Sequence, residues 1–415
     1  MSARHLCAAL SVLIGFAMLC VSGCHGSGET AVTGAASAPV DTAQDYLAGD
    51  MNGNGAPDII DAITILRMVV GIIEPAPQAD CNGDGAVNII DAILVLRCVV
   101  GVDPWPIAAL VGQIAYCNNA GVIVCEPDGT DADTISPILS HHPRWAPIGG
   151  WLSVERGTPW EIWRLREDGH VSYAVYNIAD RDCRHARWSP DSSIIACAVS
   201  HEGDTDIWVQ HVQTGAIVIL TGAASYDDRP TWAPNGLRLA FQSARLGGYD
   251  IWAINRDGSG LTNLTDSEDA CYEPDWRSDG QRICYRAAED ATGELNIWAM
   301  DADGGNQQRL TDDPFQDWNP KWSPDGTKVV YERSGDDGAR NLIVINADGT
   351  GFVDATGGLG GYDAEWSPDS SKLVFVSERD GDRDIYTVGV NGGGLRNITN
   401  TSGDEWEPHW GPDTD

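Results

Sequence analysis

Lys321-Trp322-Ser323-Pro324-Asp325-Gly326-Thr327-Lys328-Val329-Val330-Tyr331 reads as a strand end, a tight turn and a second strand. Pro324 presets φ, Asp325-Gly326 supplies a reversal, and Val329-Val330-Tyr331 is β-branched and aromatic. The motif returns along the chain. Trp145, Trp188, Trp232, Trp276, Trp322, Trp366 and Trp410 lie 43, 44, 44, 46, 44 and 44 residues apart. Trp-Ser/Ala-Pro-Asp/Asn-Gly or a variant is followed by a short strand such as Leu239-Ala240-Phe241 and then a Gly/Asp turn. Next come Asp-Ile-Trp or a relative, Asp-Gly, and a strand ending in Leu-Thr.

Four short strands in a period of this length predict one blade of a radial β array. Pro143, Pro230, Pro274, Pro320 and Pro408 sit two residues before their Trp. Proline is tolerated on an edge strand, and the strand facing the central channel is such an edge, so the Trp strand is innermost. Residues 113–144 hold three strands without a Trp strand, whereas Trp410-Gly411-Pro412-Asp413 is a Trp strand with nothing after it. Strand exchange between Trp410 and Gln113–Cys117 then closes a seventh blade and removes the open terminal edges. The expected fold is mainly β: a seven-bladed propeller over residues 111–415, with a six-bladed ring as the alternative.

The repeat resembles the W-S-P-D-G propeller repeat of TolB and of prolyl-oligopeptidase-like proteins. In TolB an α/β domain precedes the propeller, and here a different module stands in its place. Residues 50–61, Asp-Met-Asn-Gly-Asn-Gly-Ala-Pro-Asp-Ile-Ile-Asp, and 80–91, Asp-Cys-Asn-Gly-Asp-Gly-Ala-Val-Asn-Ile-Ile-Asp, place oxygen side chains at loop positions 1, 3, 5, 9 and 12, with Gly at 6. A hard cation asks for that spacing, and Gly permits the sharp reversal. The expected Ca²⁺ ligands are Asp50, Asn52, Asn54, Asp58, Asp61 and the Ala56 carbonyl for one ion. For the second they are Asp80, Asn82, Asp84, Asn88, Asp91 and the Ala86 carbonyl. Each loop leads into an apolar helix, Ile60 to Val70 or Ile90 to Val100, closed by Gly71 or Gly101.

The duplicated loop and helix of residues 46–103 resemble a type I dockerin, a small all-α, EF-hand-like module. That resemblance implies calcium-dependent docking to a cohesin-like protein. The partner-binding residues it points to are Ile59, Ile60, Arg67, Ile89, Ile90 and Arg97. Ile-Ile at positions 10 and 11 departs from the small hydroxylated residues common in cellulosomal dockerins; the pair serves either as an exposed anchor or as closure of the helix core.

Residues 1–23 carry Arg4 and an apolar run from Leu6 to Val21, too short to span a bilayer, and read as a signal peptide. Val21-Ser22-Gly23-Cys24 resembles a lipobox, which implies lipidation of Cys24 and a membrane anchor. His25 in place of Asp points to outer-membrane or surface display, with the periplasm as the alternative. Residues 24–45 read as a flexible tether and 104–110 as a linker. With Cys7 and Cys20 in the signal and Cys24 capped, eight cysteines remain for an oxidising compartment. The expected pairs are Cys183–Cys197, Cys271–Cys284 and Cys117–Cys125, with Cys81–Cys98 as the remainder and buried unpaired thiols as the alternative for those two.

Lys and Arg number 26 against 61 Asp and Glu, a net charge of −35 that repels a nucleic-acid backbone, while 42% hydrophobic residues exclude general disorder. Of 16 Trp, the seven leading ones and Trp163, Trp208, Trp252 and Trp298 fall at repeat positions and are expected in the core between blades. Trp105, Trp151, Trp160, Trp318 and Trp406 remain; Trp318 and Trp406, four residues before a blade Trp, either line the channel mouth or cover a loop. His141-His142 reads as a loop motif, since neighbours on a strand point to opposite faces. No catalytic signature is present. The leading expectation is an exported calcium-binding protein whose propeller is a protein- or glycan-binding platform. The alternative is an enzyme or accessory protein of polysaccharide breakdown.

Overall fold

The computed structural model describes residues 62–65, 68 and 112–412, apart from short breaks at 168, 170–171, 177, 179, 202, 223–224, 268, 290–292 and 336–337. Residues 62–65 and 68 are helical, with Ala62, Ile65 and Met68 buried and Ile63 exposed, the spacing of a one-sided apolar helix. The expected calcium loops, the rest of their helices, the lipobox and Cys81–Cys98 lie outside the described residues.

Among the described residues 28 strands, numbered β1 to β28 along the chain from Ile114, form seven four-stranded antiparallel sheets. Six are consecutive, β4–β7 through β24–β27, and are blades 1 to 6 here. The seventh combines β28 (Glu405–Trp410) with β1 (Ile114–Asn118), β2 (Gly121–Cys125) and β3 (Asp133–Ser136). Trp410 stands opposite Ile114, and Gly411 N–H donates to the Gln113 carbonyl, so the carboxyl-terminal strand closes the ring at seven blades.

The core is distributed between blades. Seven buried clusters each draw residues from two neighbouring blades, one per interface. Burying flat sheets against one another in a radial array calls for a large side chain where the wedge opens, and all seven leading Trp fill it, none more than 8% exposed. Trp208 is likewise buried, while Trp163, Trp252 and Trp298 are partly buried against the same clusters.

All six described cysteines of the expected pairs are buried free thiols, which corrects the disulfide expectation. Cys117 stands opposite Val122 and Cys125 opposite Ile114, and they pack in different clusters on opposite faces of blade 7. Cys271 and Cys284 are separated in the same way, packing against blade 3 and blade 5 respectively. Cys183 and Cys197 do share one face and one cluster.

Candidate functional site

The innermost strands are β4 (His141–Trp145), β8 (Asp182–Trp188), β12 (Asp227–Trp232), β16 (Cys271–Trp276), β20 (Asp317–Trp322), β24 (Tyr362–Trp366) and β28. Every one shifts register against its neighbour just before the Trp, a β-bulge repeated seven times. The residue three before the Trp takes a left-handed backbone in each: His142, His185, Arg229, Glu273, Asn319, Asp363 and Glu407, with φ between 48 and 56°. Such a conformation is uncommon outside glycine, and seven in register form a built device.

The bulge removes a backbone N–H from the ladder, and at five of the seven positions the neighbouring blade supplies its acceptor, while Arg229 N–H donates to Asp228 Oδ1 of its own strand. His142 N–H donates to Glu407 Oε2 at 2.6 Å, His185 N–H to Glu155 Oε1 at 2.6 Å, Glu273 N–H to Gln242 Oε1 at 3.2 Å, Asn319 N–H to Glu273 Oε2 at 2.9 Å and Asp363 N–H to Glu332 Oε1 at 3.0 Å. Several acidic residues are therefore stitches between blades.

Partial exposure falls mainly at three offsets on these strands: four, three and one residue before the Trp. These positions face the axis, where no further strand covers them, and stack as a rim, a middle ring and a floor. At the rim His141 stacks on Trp406 at 5.8 Å and meets Trp160 edge-on at 5.0 Å. Tyr249 packs on Tyr272 at 4.9 Å, and Arg286, Arg340 and Arg184 lie over Tyr272, Trp318 and Trp160. Trp318 and Trp406 thus line the mouth. His141 and His142 lie in strand β4, not in a loop: the bulge breaks the alternation, so both are partly exposed at the axis.

The middle ring is divided by charge. Blades 1 to 3 bring His142, His185 and Arg229; blades 4, 6 and 7 bring Glu273, Asp363 and Glu407. His142 Nδ1 is 3.3 Å from Glu155 Oε2 and its Nε2 3.2 Å from Glu407 Oε1, and His185 Nδ1 is 2.6 Å from Asp228 Oδ1. Burial opposes charge on His142, but the Glu155 hydrogen bond and the Glu155 and Glu407 charges outweigh it and raise its pKa. Burial likewise pushes the Glu155 and Asp228 carboxyls up, and the adjoining imidazoles turn both shifts downward.

The floor ring is Arg144, Arg187, Thr231, Asp275, Lys321, Glu365 and His409. Glu365 pairs with Arg144 from two blades away and with Lys321 at 2.7 Å, joining blades 1, 5 and 6. Burial opposes the charge of Glu365, yet these two cations hold its carboxyl far below the usual range. Burial, reinforced by Arg144, pushes His409 down to about 3, and its Nδ1 accepts Trp145 N–H at 3.3 Å. Burial pushes Asp275 up to about 6, and Asp275 Oδ2 accepts Trp322 N–H at 2.8 Å. Arg187 is different. Its Nη1 donates to the adjacent Ala186 carbonyl at 3.0 Å, and among the described residues no carboxylate pairs with it. Floor residues are strongly desolvated yet partly accessible.

Among the described residues no group of three or more His, Cys, Asp or Glu is arranged to hold a metal ion, and no helix is long and apolar enough to cross a membrane. The expected ligand, partner-binding and lipidation residues lie outside the described part. Sequence reading passed over the middle and floor rings, although their signal was present: residues one and three before each Trp are polar or charged in all seven repeats, around a Pro or Ala.

The fold and its axial site define a closed, channel-bearing seven-bladed propeller. Residues 119–357 match the family described as PD40, TolB beta propeller domain, and the chain belongs to that family. Among solved structures it is similar to oligogalacturonate lyase from Vibrio parahaemolyticus, with 10% identity, 67% of this chain and 91% of that chain covered, and TM-score 0.57. It is also similar to the β-propeller domain of the Trilobed protease from Pyrococcus furiosus, with 15% identity, 68% and 87% covered, and TM-score 0.52. That domain is described as having an open velcro topology, whereas here β28 closes the ring on β1. A putative TolB from Agrobacterium tumefaciens matches at 23% identity and TM-score 0.47, over 68% of this chain and 98% of its own.

Proposed function

We propose that this protein is an exported, calcium-binding platform of the cell envelope, which presents its channel mouth to a protein partner. The observation that supports this reading is the axial surface. Aromatic residues and arginines ring the mouth, while the walls beneath differ in charge from blade to blade, as a specific binding surface requires. The TolB-like family supports an envelope setting. In this proposal Cys24 carries the lipid anchor at the outer membrane or surface. Asp50, Asn52, Asn54, Ala56, Asp58 and Asp61 hold one Ca²⁺, and Asp80, Asn82, Asp84, Ala86, Asn88 and Asp91 hold the other. Ile59, Ile60, Arg67, Ile89, Ile90 and Arg97 meet a cohesin-like protein. The whole chain then links two partners, one at each end.

Calorimetric Ca²⁺ titration of the full mature chain tests the docking arm, followed by pulldown from envelope extract with and without chelator. Two binding events, both lost in an Asp50→Ala, Asp80→Ala double variant, together with chelator-sensitive recovery of a cohesin-like protein, are expected. No heat of Ca²⁺ binding removes the docking arm and leaves the propeller to carry the function.

One arrangement favours a second reading, an enzyme of glycan breakdown: the carboxylate–imidazole pairs Glu155–His142 and Asp228–His185 lie beside the aromatic residues of the rim. Turnover of envelope or plant glycans abolished by Glu155→Gln would favour it over the platform.

A further inference from the structure

We propose that the channel captures the free carboxyl terminus of a partner polypeptide, with Arg187 as the anchor for the terminal carboxylate. This rests on the platform reading above and names the chemistry of its deepest contact. Arg187 is the starting point. A guanidinium offers five N–H donors in a planar fork suited to a carboxylate. Among the described residues Arg187 makes one hydrogen bond, to the carbonyl of its own neighbour, and it stands among charges of both signs: Arg144 and Arg229 raise the local positive potential, and Glu365 and Asp275 offset it in part without pairing with it. Burial, with the two arginines, outweighs the two carboxylates and lowers it to about 10, so the position costs stability in the free protein. The other two floor cations are already committed, since Arg144 and Lys321 both pair with Glu365. An incoming anion therefore meets one uncommitted guanidinium, at the bottom of the wall that carries His142, His185 and Arg229.

The rest of the channel selects which anion. The opposite wall holds Glu273, Asp363 and Glu407, and the whole protein carries a net charge of −35. A polymer with a carboxylate on every unit would be repelled along its length. A single negative group at the tip of a neutral chain avoids that repulsion and reaches Arg187. From rim to floor is three strand positions, roughly 10 Å at about 3.3 Å per residue, which the last three residues of an extended peptide span. On the way the peptide's backbone N–H groups face the acidic wall and its side chains meet the aromatic rim at His141, Trp318 and Trp406. The Arg144–Glu365–Lys321 ion-pair array blocks passage below, so a chain end suits the site better than a segment threaded through it.

The test uses the full mature chain, immobilised, and two N-acetylated peptide pools randomised in their last four residues, one with a free carboxyl terminus and one amidated. Wild type is expected to retain the acid pool at least tenfold better than the amide pool. Arg187→Gln is expected to bring that ratio to about one, and Arg187→Lys, which keeps the charge without the fork, to an intermediate value. Removal of an unpaired desolvated charge leaves the thermal midpoint of Arg187→Gln unchanged or higher, so loss of the ratio is not loss of the fold. Equal retention of the two pools by wild type, or no retention of the acid pool, overturns the proposal. Envelope pulldown with wild type and Arg187→Gln reads the platform separately: partners recovered equally by both, with equal acid and amide retention, leave the platform standing and remove the carboxylate anchor.

Discussion

On the face that packs between blades, the innermost strands carry Trp145, Trp188, Trp232, Trp276, Trp322, Trp366 and Trp410, one residue type used seven times. Three residues earlier, facing the axis, the same strands carry His142, His185, Arg229, Glu273, Asn319, Asp363 and Glu407, no type more than twice. Both sets sit on one backbone with one bulge geometry, so local structure does not separate them. The surroundings do. Between blades each side chain fills the same wedge against the same kind of sheet, and one volume satisfies all seven sites. At the axis no neighbour fixes volume, and the residues are free to differ in charge. Repetition within this chain marks what the fold requires, and variation at a fixed offset marks what the fold leaves to function.

The largest effect that tests this contrast comes from two tryptophans four residues apart on β20. Trp322 is buried at 5% exposure, and Trp322→Ala is expected to cost about 3–5 kcal/mol through the cavity it leaves. Trp318, partly exposed at the rim, packs under Arg340, and Trp318→Ala is expected to cost less than about 1 kcal/mol. Urea denaturation of both variants decides. Comparable losses would mean that the rim is part of the structural core and that the two faces are not distinct.

Asp275 sharpens the contrast at the floor, where an axis-facing group does touch the frame. Burial raises its carboxyl from 3.8 to about 6 in the folded protein. The folded state therefore binds its proton more tightly than the unfolded state, and the resulting stability is present in full below pH 3.8 and lost as pH rises through about 6. Integrated over that window the loss is on the order of 2–3 kcal/mol. Asp275→Asn keeps a carbonyl to accept Trp322 N–H and removes the ionisation. The variant is expected to exceed wild type in stability at neutral pH and to converge with it near the acid end of the window. Denaturation midpoints across the window check this; parallel curves would show that Asp275 is not desolvated in solution.

The frame was legible in the sequence to an unusual depth because its signals are periodic and local. The Trp spacing, the turn residues and the prolines that mark an edge strand led to the blade number and to closure between Trp410 and the first strand. The axial rings were hidden by the same regularity. Strict alternation places His141 and His142 on opposite faces, and only a bulge, which composition does not announce, brings both to the channel. The cysteines show the cost of that omission. Cys183 and Cys197 are 14 residues apart and Cys271 and Cys284 are 13 apart, which looks like one position used twice. On a pleated sheet one residue reverses the face, so the first pair shares a cluster and the second straddles its blade. Polar and charged residues at fixed offsets before each Trp carried a signal for the axis, but 61 acidic residues conceal the few that cap bulge N–H groups.

The smallest expected effect lies at His142, where the axial surface acts on stability only through charge. Its imidazole is raised above 6.5 despite burial, because Glu155 and Glu407 flank it, with Arg144 nearby opposing further positive charge. A raised histidine contributes stability that is complete below 6.5 and disappears as pH rises through its folded value. Its partner Glu155, lowered from 4.5 by His142 despite its own burial, contributes in the opposite sense: present above 4.5 and lost as pH falls through its lowered value. The pair therefore has a window, from the folded value of Glu155 up to that of His142, in which both charges are set. His142→Gln should be less stable than wild type inside that window, with the deficit shrinking as pH rises above 6.5 through the folded value of His142. A deficit that stayed constant through that range would assign His142 a packing role and place it with the tryptophans rather than with the channel. A deficit that vanishes would show that the axial residues can be exchanged for their charge alone, and the variation seen around the ring is then affordable to the fold at every blade.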